Sequence, residues 1–184
     1  GSIDNKDWEI ILQSIKNTGL DNFNLIIVPH EINNDFIKDI IQDIEELNLT
    51  ISRITDICNN KKNNNIKMNK LNCIVYDKVG DLLDLYKYGK LAYVGCGFSQ
   101  GVHNVAEAAL QGCYVSYGPN INLLDEAIKL NNNKLSKIIH NSDDFSDFTA
   151  ISDSDFLNNN QKKVLDLLQK NEHEFQNIKE MIYE

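Results

Sequence analysis

Read from the amino end, the apolar positions fall into segments of two kinds. Trp8, Ile11, Leu12 and Ile15 recur at helical intervals, which predicts a helix over residues 4–17. NLIIVPHE then gives a continuous apolar run closed by Pro29, the pattern of a strand buried on both faces. Phe36, Ile37, Ile40, Ile41, Ile44 and Leu47 return to helical spacing and predict an amphipathic helix. TISRIT (50–55) reads as a β-branched strand, and the polar, basic stretch 59–70 as a solvated loop. NCIVYD predicts a strand, and VGDLLDLYKY a helix that turns Val79, Leu82, Leu83 and Tyr86 inward. LAYVG, CYVSYG and SKIIH predict further strands, with helices over VHNVAEAALQ and NLLDEAIKL between them. A closing helix over 161–182 is expected to bury Val164, Leu168, Phe175, Ile178 and Ile182.

Strands that alternate with helices across short connections imply a parallel sheet wrapped by helices on both faces. No internal repeat and no proline- or serine-rich linker interrupts the pattern. The expectation is one Rossmann-like α/β domain over residues 1–184, with Gly1-Ser2 read as a cloning scar. A chain of 184 residues can bury about 70% of its unfolded surface and needs no staple. The net charge of −9 disfavours nucleic acid as a partner, because phosphate neutralisation needs a Lys/Arg surface. No run approaches the ~18 apolar residues of a membrane span. Cys58, Cys73, Cys96 and Cys113 form neither a CxxC pair nor a zinc spacing, so reduced thiols and no metal are expected. Arg53 is the only arginine, which gives it weight as a candidate.

In open parallel sheets ligands bind beyond the carboxyl ends of the strands. Pro29-His30-Glu31, Arg53, Asp77 to Asp81, the loop Gly95-Cys96-Gly97-Phe98-Ser99-Gln100-Gly101 and Gly118-Pro119-Asn120 all follow strands. Gly95, Gly97 and Gly101 allow backbone to approach a ligand, and the next helix start offers free N–H groups to a phosphate. The string is neither the dinucleotide fingerprint, because Gln100 stands where that needs glycine, nor a Walker loop. A tight turn that needs glycine for geometry alone would leave the same trace. His103, Asn104 and Glu107 follow, with Asn104 and Glu107 at i,i+3, where a carboxylate can accept ribose hydroxyls. Together these favour a nucleotide site. His30 and Glu31 are candidates for an acid–base pair or for helix caps. Arg53 is a candidate for a bidentate anion contact or a surface charge.

VPHE (28–31), SR (52–53), YDKVGDLLDLY (76–86), AYVGCGFSQGVHNVAEAALQG (92–112) and YGPN (117–120) stand in the order found in the 3-deoxy-D-manno-octulosonate (Kdo) transferases. The chain resembles the C-terminal half of that family, and most of all its Bacteroidetes-like members, from about residue 24 to residue 130. The resemblance implies half of a GT-B glycosyltransferase, in which two Rossmann-like domains face each other across a cleft. Such enzymes transfer Kdo from CMP-Kdo to a lipid A precursor in lipopolysaccharide biosynthesis, without a metal in the donor site. It implies that Pro29 and His30 contact the nucleotide and that Val79-Gly80-Asp81 hold the CMP through backbone. Asn104, Val105, Ala106 and Glu107 would hold the phosphate side and the ribose, beside the Gly95, Gly97, Gly101 and His103 already read as candidates, and Arg53 would neutralise donor charge. Asp81 is one methylene shorter than the family's usual glutamate, Val79 replaces methionine, and Cys96 stands where a third glycine is common.

The family's N-terminal acceptor domain, which carries the catalytic glutamate, has no counterpart in these residues. No catalytic residue and no cofactor are therefore expected here. The partners expected are the CMP-Kdo donor, that facing domain and, through it, the lipid A precursor, with no direct membrane contact. The whole protein would work at the cytoplasmic face of the bacterial inner membrane, and this fragment would have no turnover alone. Two alternatives stay open: the donor domain of another GT-B transferase or a nucleotide-sugar epimerase, and a non-catalytic Rossmann-like binding module.

Overall fold

In a computed structural model of the protein, residues 1–20, 23–60 and 72–183 are described, with the side chains of 60 and 169–183 left aside. The first helix, α1 (Asn5–Thr18), starts where Asp4 and Asp7 close a capping box. Each of the two carboxylates accepts the other residue's N–H at 3.0 Å. Then follow β1 (Leu25–Ile27), α2 (Asn34–Glu46), β2 (Ile51–Arg53), α3 (Ile54–Asn60) and β3 (Cys73–Val75). The second half contains α4 (Leu82–Tyr86), β4 (Leu91–Val94), α5 (Val105–Leu110), β5 (Tyr114–Tyr117), α6 (Asp125–Asn132), β6 (Ser136–Ile138), α7 (Ser142–Thr149) and α8 (Ser154–Tyr183).

Among the described residues the strands form two three-stranded parallel sheets, ordered β1-β3-β2 and β4-β5-β6. Ile27 and Arg53 both lie opposite Val75, while Val94 lies opposite Tyr117. The two-residue alternation of a strand sends Tyr93 and Tyr114 into one core, with Trp8, Ile11, Ile37, Ile40 and Phe148. It sends Ala92, Val94, Val115 and Tyr117 into the other, with Val105, Ala127, Leu130 and Val164. Helices cover both faces of the strands, as a parallel sheet requires, and the fold is Rossmann-like α/β.

The structure corrects several local expectations. The strand expected over 50–55 ends at Arg53, and Ile54 opens α3. There the Asp77 carboxylate accepts the Thr55 N–H at 3.1 Å and its hydroxyl at 2.6 Å, which turns the chain out of the sheet. Most of the loop expected over 59–70 lies outside the described residues. The helix expected from Val79 starts only at Leu82, so Val79 is 85% exposed and Leu83 is exposed too, while Tyr86 is buried. The closing helix begins at Ser154 instead of 161, with α7 before it; it buries Val164 and Leu168, and Phe175, Ile178 and Ile182 lie outside the described side chains. No described helix is long and apolar enough to cross a membrane.

Candidate nucleotide site

The loop between β4 and α5 is held from three sides. Gly101 N–H and Ser99 N–H return to the Cys96 carbonyl at 3.0 and 3.1 Å, and His103 N–H reaches the Gly95 carbonyl at 3.3 Å. From the β5 side, Asn120 donates its N–H to Gly97 O at 2.9 Å and its side-chain amide to Ser99 O at 3.1 Å. From the α1 side, Asp7 accepts the Cys96 N–H and the Tyr93 hydroxyl, both at 2.6 Å. Ser99 donates its hydroxyl to Asp4.

The glycines answer to close approaches. A Cβ on Gly95 would lie 2.1 Å from the Ser2 carbonyl oxygen, and Gly101 adopts φ 116°. Cys96 takes φ 66°, the left-handed conformation that glycine adopts without cost, which is the physical content of the departure noted at that position.

The structure brings His30, after β1, against His103, after β4, with ring centroids 4.4 Å apart and planes tilted by 30°. Burial, and then the neighbouring His30, push the His103 imidazolium below its ordinary value. Asn104 is the cap of α5, so His103 and Asn104 precede the helix instead of lying in its first two turns. The Asn104 side chain accepts the Ala106 N–H at 3.0 Å and donates to Glu107 Oε1 at 3.0 Å, so the expected i,i+3 pair is in contact. Val105 is buried in the core with Val94 and Tyr117, and Pro29 is buried beside Ile3.

Of the remaining sequence candidates, Asp81 and Arg53 have other partners. Asp81 accepts the Tyr76 hydroxyl at 2.5 Å, which drives that phenol up to about 12. Gly80 is exposed at φ 101° with nothing near its missing side chain. Arg53 donates to Asn34 at 3.4 Å. Among the described residues, no hydrogen bond or ion pair joins Arg53 or Val79-Gly80-Asp81 to the His30–Glu107 group.

Sequence reasoning missed Asp4 and Asp7. Asp7 is fully buried, and desolvation raises its carboxyl despite the bonds from Tyr93, Asp4 and Cys96. Burial also opposes the charge of Asp4, but the bonds from Ser99 and Asp7 outweigh it and hold that carboxyl low. The Asp-x-x-Asp capping spacing was the available signal; what it could not tell is that the same carboxylates anchor a loop from the far half of the chain.

Ligand atoms of His30, Cys96 and His103 lie within 4.8 Å of one another, as do those of Asp4, Asp7 and Cys96. A cation at either group would need the Cys96 thiolate, and burial with the two aspartates pushes that thiol up to about 12. The second group's carboxylates already accept Ser99, Tyr93 and Cys96 donors. The first group, with two exposed or half-exposed imidazole edges, is suited to donate hydrogen bonds to an anion.

No protein-family model and no curated protein matches the chain. A crystal structure of the C-terminal CMP-Kdo binding domain of WaaA from Acinetobacter baumannii matches it with a TM-score of 0.75 and 15% sequence identity, over 91% of this chain and 86% of that one. The chain is thus similar in fold, along nearly its whole length, to a solved nucleotide-sugar binding domain.

Proposed function

We propose that the chain is the donor-binding domain of a Kdo transferase and that it takes CMP-Kdo at the carboxyl edge of its strands. The observation that carries this reading is the fold likeness to a CMP-Kdo binding domain over 91% of the chain. The strings VPHE, AYVGCGFSQGVHNVAEAALQG and YGPN support it, because the first two bring His30 and His103 together and Asn120 of the third binds the glycine loop.

The chemistry follows from the donor. Transfer breaks the bond between the sugar and the CMP phosphate, so charge grows on the leaving phosphate. His30 and His103 are placed to donate to its oxygens, and the glycine loop lets backbone approach it. Glu107, oriented by Asn104, is suited to accept ribose hydroxyls. The exposed backbone of Val79-Gly80-Asp81 is suited to the CMP base and Arg53 to donor charge, provided that ligand binding draws both toward the pair. The acceptor hydroxyl must lose its proton on the opposite side, which falls to a facing domain, so this domain alone turns over no substrate. The full protein would then act in lipopolysaccharide assembly on lipid A precursor at the cytoplasmic membrane face. With a charge of −9, attraction to anionic lipid would belong to the facing domain.

Titration of the isotope-labelled chain with CMP, UMP and UDP tests the reading. CMP-selective amide shifts at Gly80, Gly97 and Asn104 are expected. A preference for UDP would move the domain to another sugar nucleotide. The absence of shifts with all three, both alone and with the full protein, would leave a non-catalytic module.

A further inference from the structure

Among the described residues, backbone hydrogen bonds join the two sheets at one end. Among the described residues no backbone hydrogen bond runs directly between β1 and β4. Residues 1–3 bridge them instead. Gly1 donates to the Tyr93 carbonyl at 2.6 Å and accepts the Gly95 N–H at 2.9 Å. Ile3 donates to the Val28 carbonyl at 3.1 Å and accepts the His30 N–H at 2.8 Å, a parallel bridge to Pro29. In a parallel ladder one residue donates to residue j−1 and accepts from residue j+1, and each of these two pairs has that form. Ser2 takes φ 55° between them, so the backbone turns there and Gly1 faces β4 while Ile3 faces β1; the two pairs are end rungs of a bulged strand between β1 and β4.

Below these rungs the two inner edges stand apart around a cavity of about 880 Å³. Leu25, Ile26, Leu91 and Tyr93 line it from the strands, Phe145 from α7 and Leu85 from α4. Because N–H and C=O groups alternate sides along a strand, the edge that presents Val28 also turns Ile26 into the cavity. The edge that presents Tyr93 turns Leu91 the same way. Two inner strand edges that face each other are rows of donors and acceptors that need partners.

We propose that this cleft is the seat of a further parallel strand, formed by the polypeptide that runs into Gly1 from its amino side, which joins the two sheets into one. The occupant follows from Gly1 itself. Its nitrogen donates to the Tyr93 carbonyl, and Gly1 itself lines the cavity, so a residue joined to that nitrogen enters the cleft. A second copy would have to displace residues already in ladder register. Burial also pushes the Gly1 ammonium down to about 5, whereas a peptide N–H at that place would carry no charge to bury. Ile11, Leu82, Leu85, Phe145 and Phe148 reach the cleft from α1, α4 and α7, so the segment should be apolar where it meets them. The proposal is independent of the ligand reading.

Three chains test it: the present one, the same chain lengthened before Gly1 by six apolar, β-branched residues, and that longer chain with proline two positions before Gly1. Ladder register places the amides of Val28 and Tyr93 against the new strand. The longer chain should slow exchange at both amides by about tenfold or more. Its Tm should rise by roughly 3 °C or more, the scale of ~1 kcal/mol in a domain of this size. Proline removes a ladder donor and should reverse both effects. Unchanged exchange at Val28 and Tyr93 in the longer chain overturns the proposal, whatever its Tm. So does protection that appears only with concentration-dependent dimerisation, which would assign the cleft to a second copy.

Discussion

Gly97 and Gly118 meet backbone to backbone across the ends of β4 and β5. A Cβ on Gly97 would lie 2.6 Å from the Gly118 nitrogen, and a Cβ on Gly118 would lie 2.6 Å from the Gly97 carbonyl carbon. Neither neighbour is a flexible side chain, so neither can yield cheaply. Gly97→Ala and Gly118→Ala should each cost about 1–3 kcal/mol in urea unfolding. The double variant should cost less than the sum, because one displacement of the loops accommodates both methyls.

Asn104 and Glu107 separate folding from binding. Asn104→Ala removes the α5 cap and should cost about 1 kcal/mol of stability. Glu107→Gln keeps the cap and should leave stability within about 0.5 kcal/mol. Both should weaken CMP binding by about tenfold in calorimetry, or ~1.4 kcal/mol. Unaltered affinity in Glu107→Gln would remove Glu107 from the ribose contact.

His103 supplies a pH signature. Its folded-state value is lowered, so the free site holds it neutral near pH 7. A bound phosphate favours the charged imidazolium and raises that value, so binding takes up a proton. CMP affinity should therefore rise as pH falls from about 8 to about 6, and His103→Gln should flatten the dependence.

Cys96 occupies a left-handed position at φ 66°. Cys96→Gly should relieve the backbone and leave stability equal or higher by up to about 1 kcal/mol. Cys96→Ala removes the same buried sulfur without relieving the backbone, and should destabilise. The ordering glycine, cysteine, alanine in Tm is the test.

The alternation of strands and helices was legible in the sequence because helical and strand periodicities are local. Trp8, Ile11 and Ile15 needed only each other to define a helix face, and all are buried. Asn104 and Glu107 are likewise fixed by one turn of chain, and their contact was expected from spacing. Helix boundaries were less legible. Val79 looked like an inward helical residue because its spacing to Leu82 and Tyr86 fits, yet the chain at Gly80 takes φ 101° and the helix starts only afterwards.

What only the tertiary structure decided are relations between residues far apart in the chain. Hydrophobic patterning says that a strand is buried but not which strand lies beside it. The contact of His30 with His103 depends on that neighbourhood, as does the capture of the Cys96 N–H by Asp7. The cleft between β1 and β4 depends on it as well: Ile26 reads as part of a buried strand, yet it is 41% exposed because its edge faces the cavity. Local sequence determined which segments are strands and helices, through the side-chain periods of each. Strand order, set by which edges find hydrogen-bond partners and which faces find helices, determined where those segments meet and where a place between them is open.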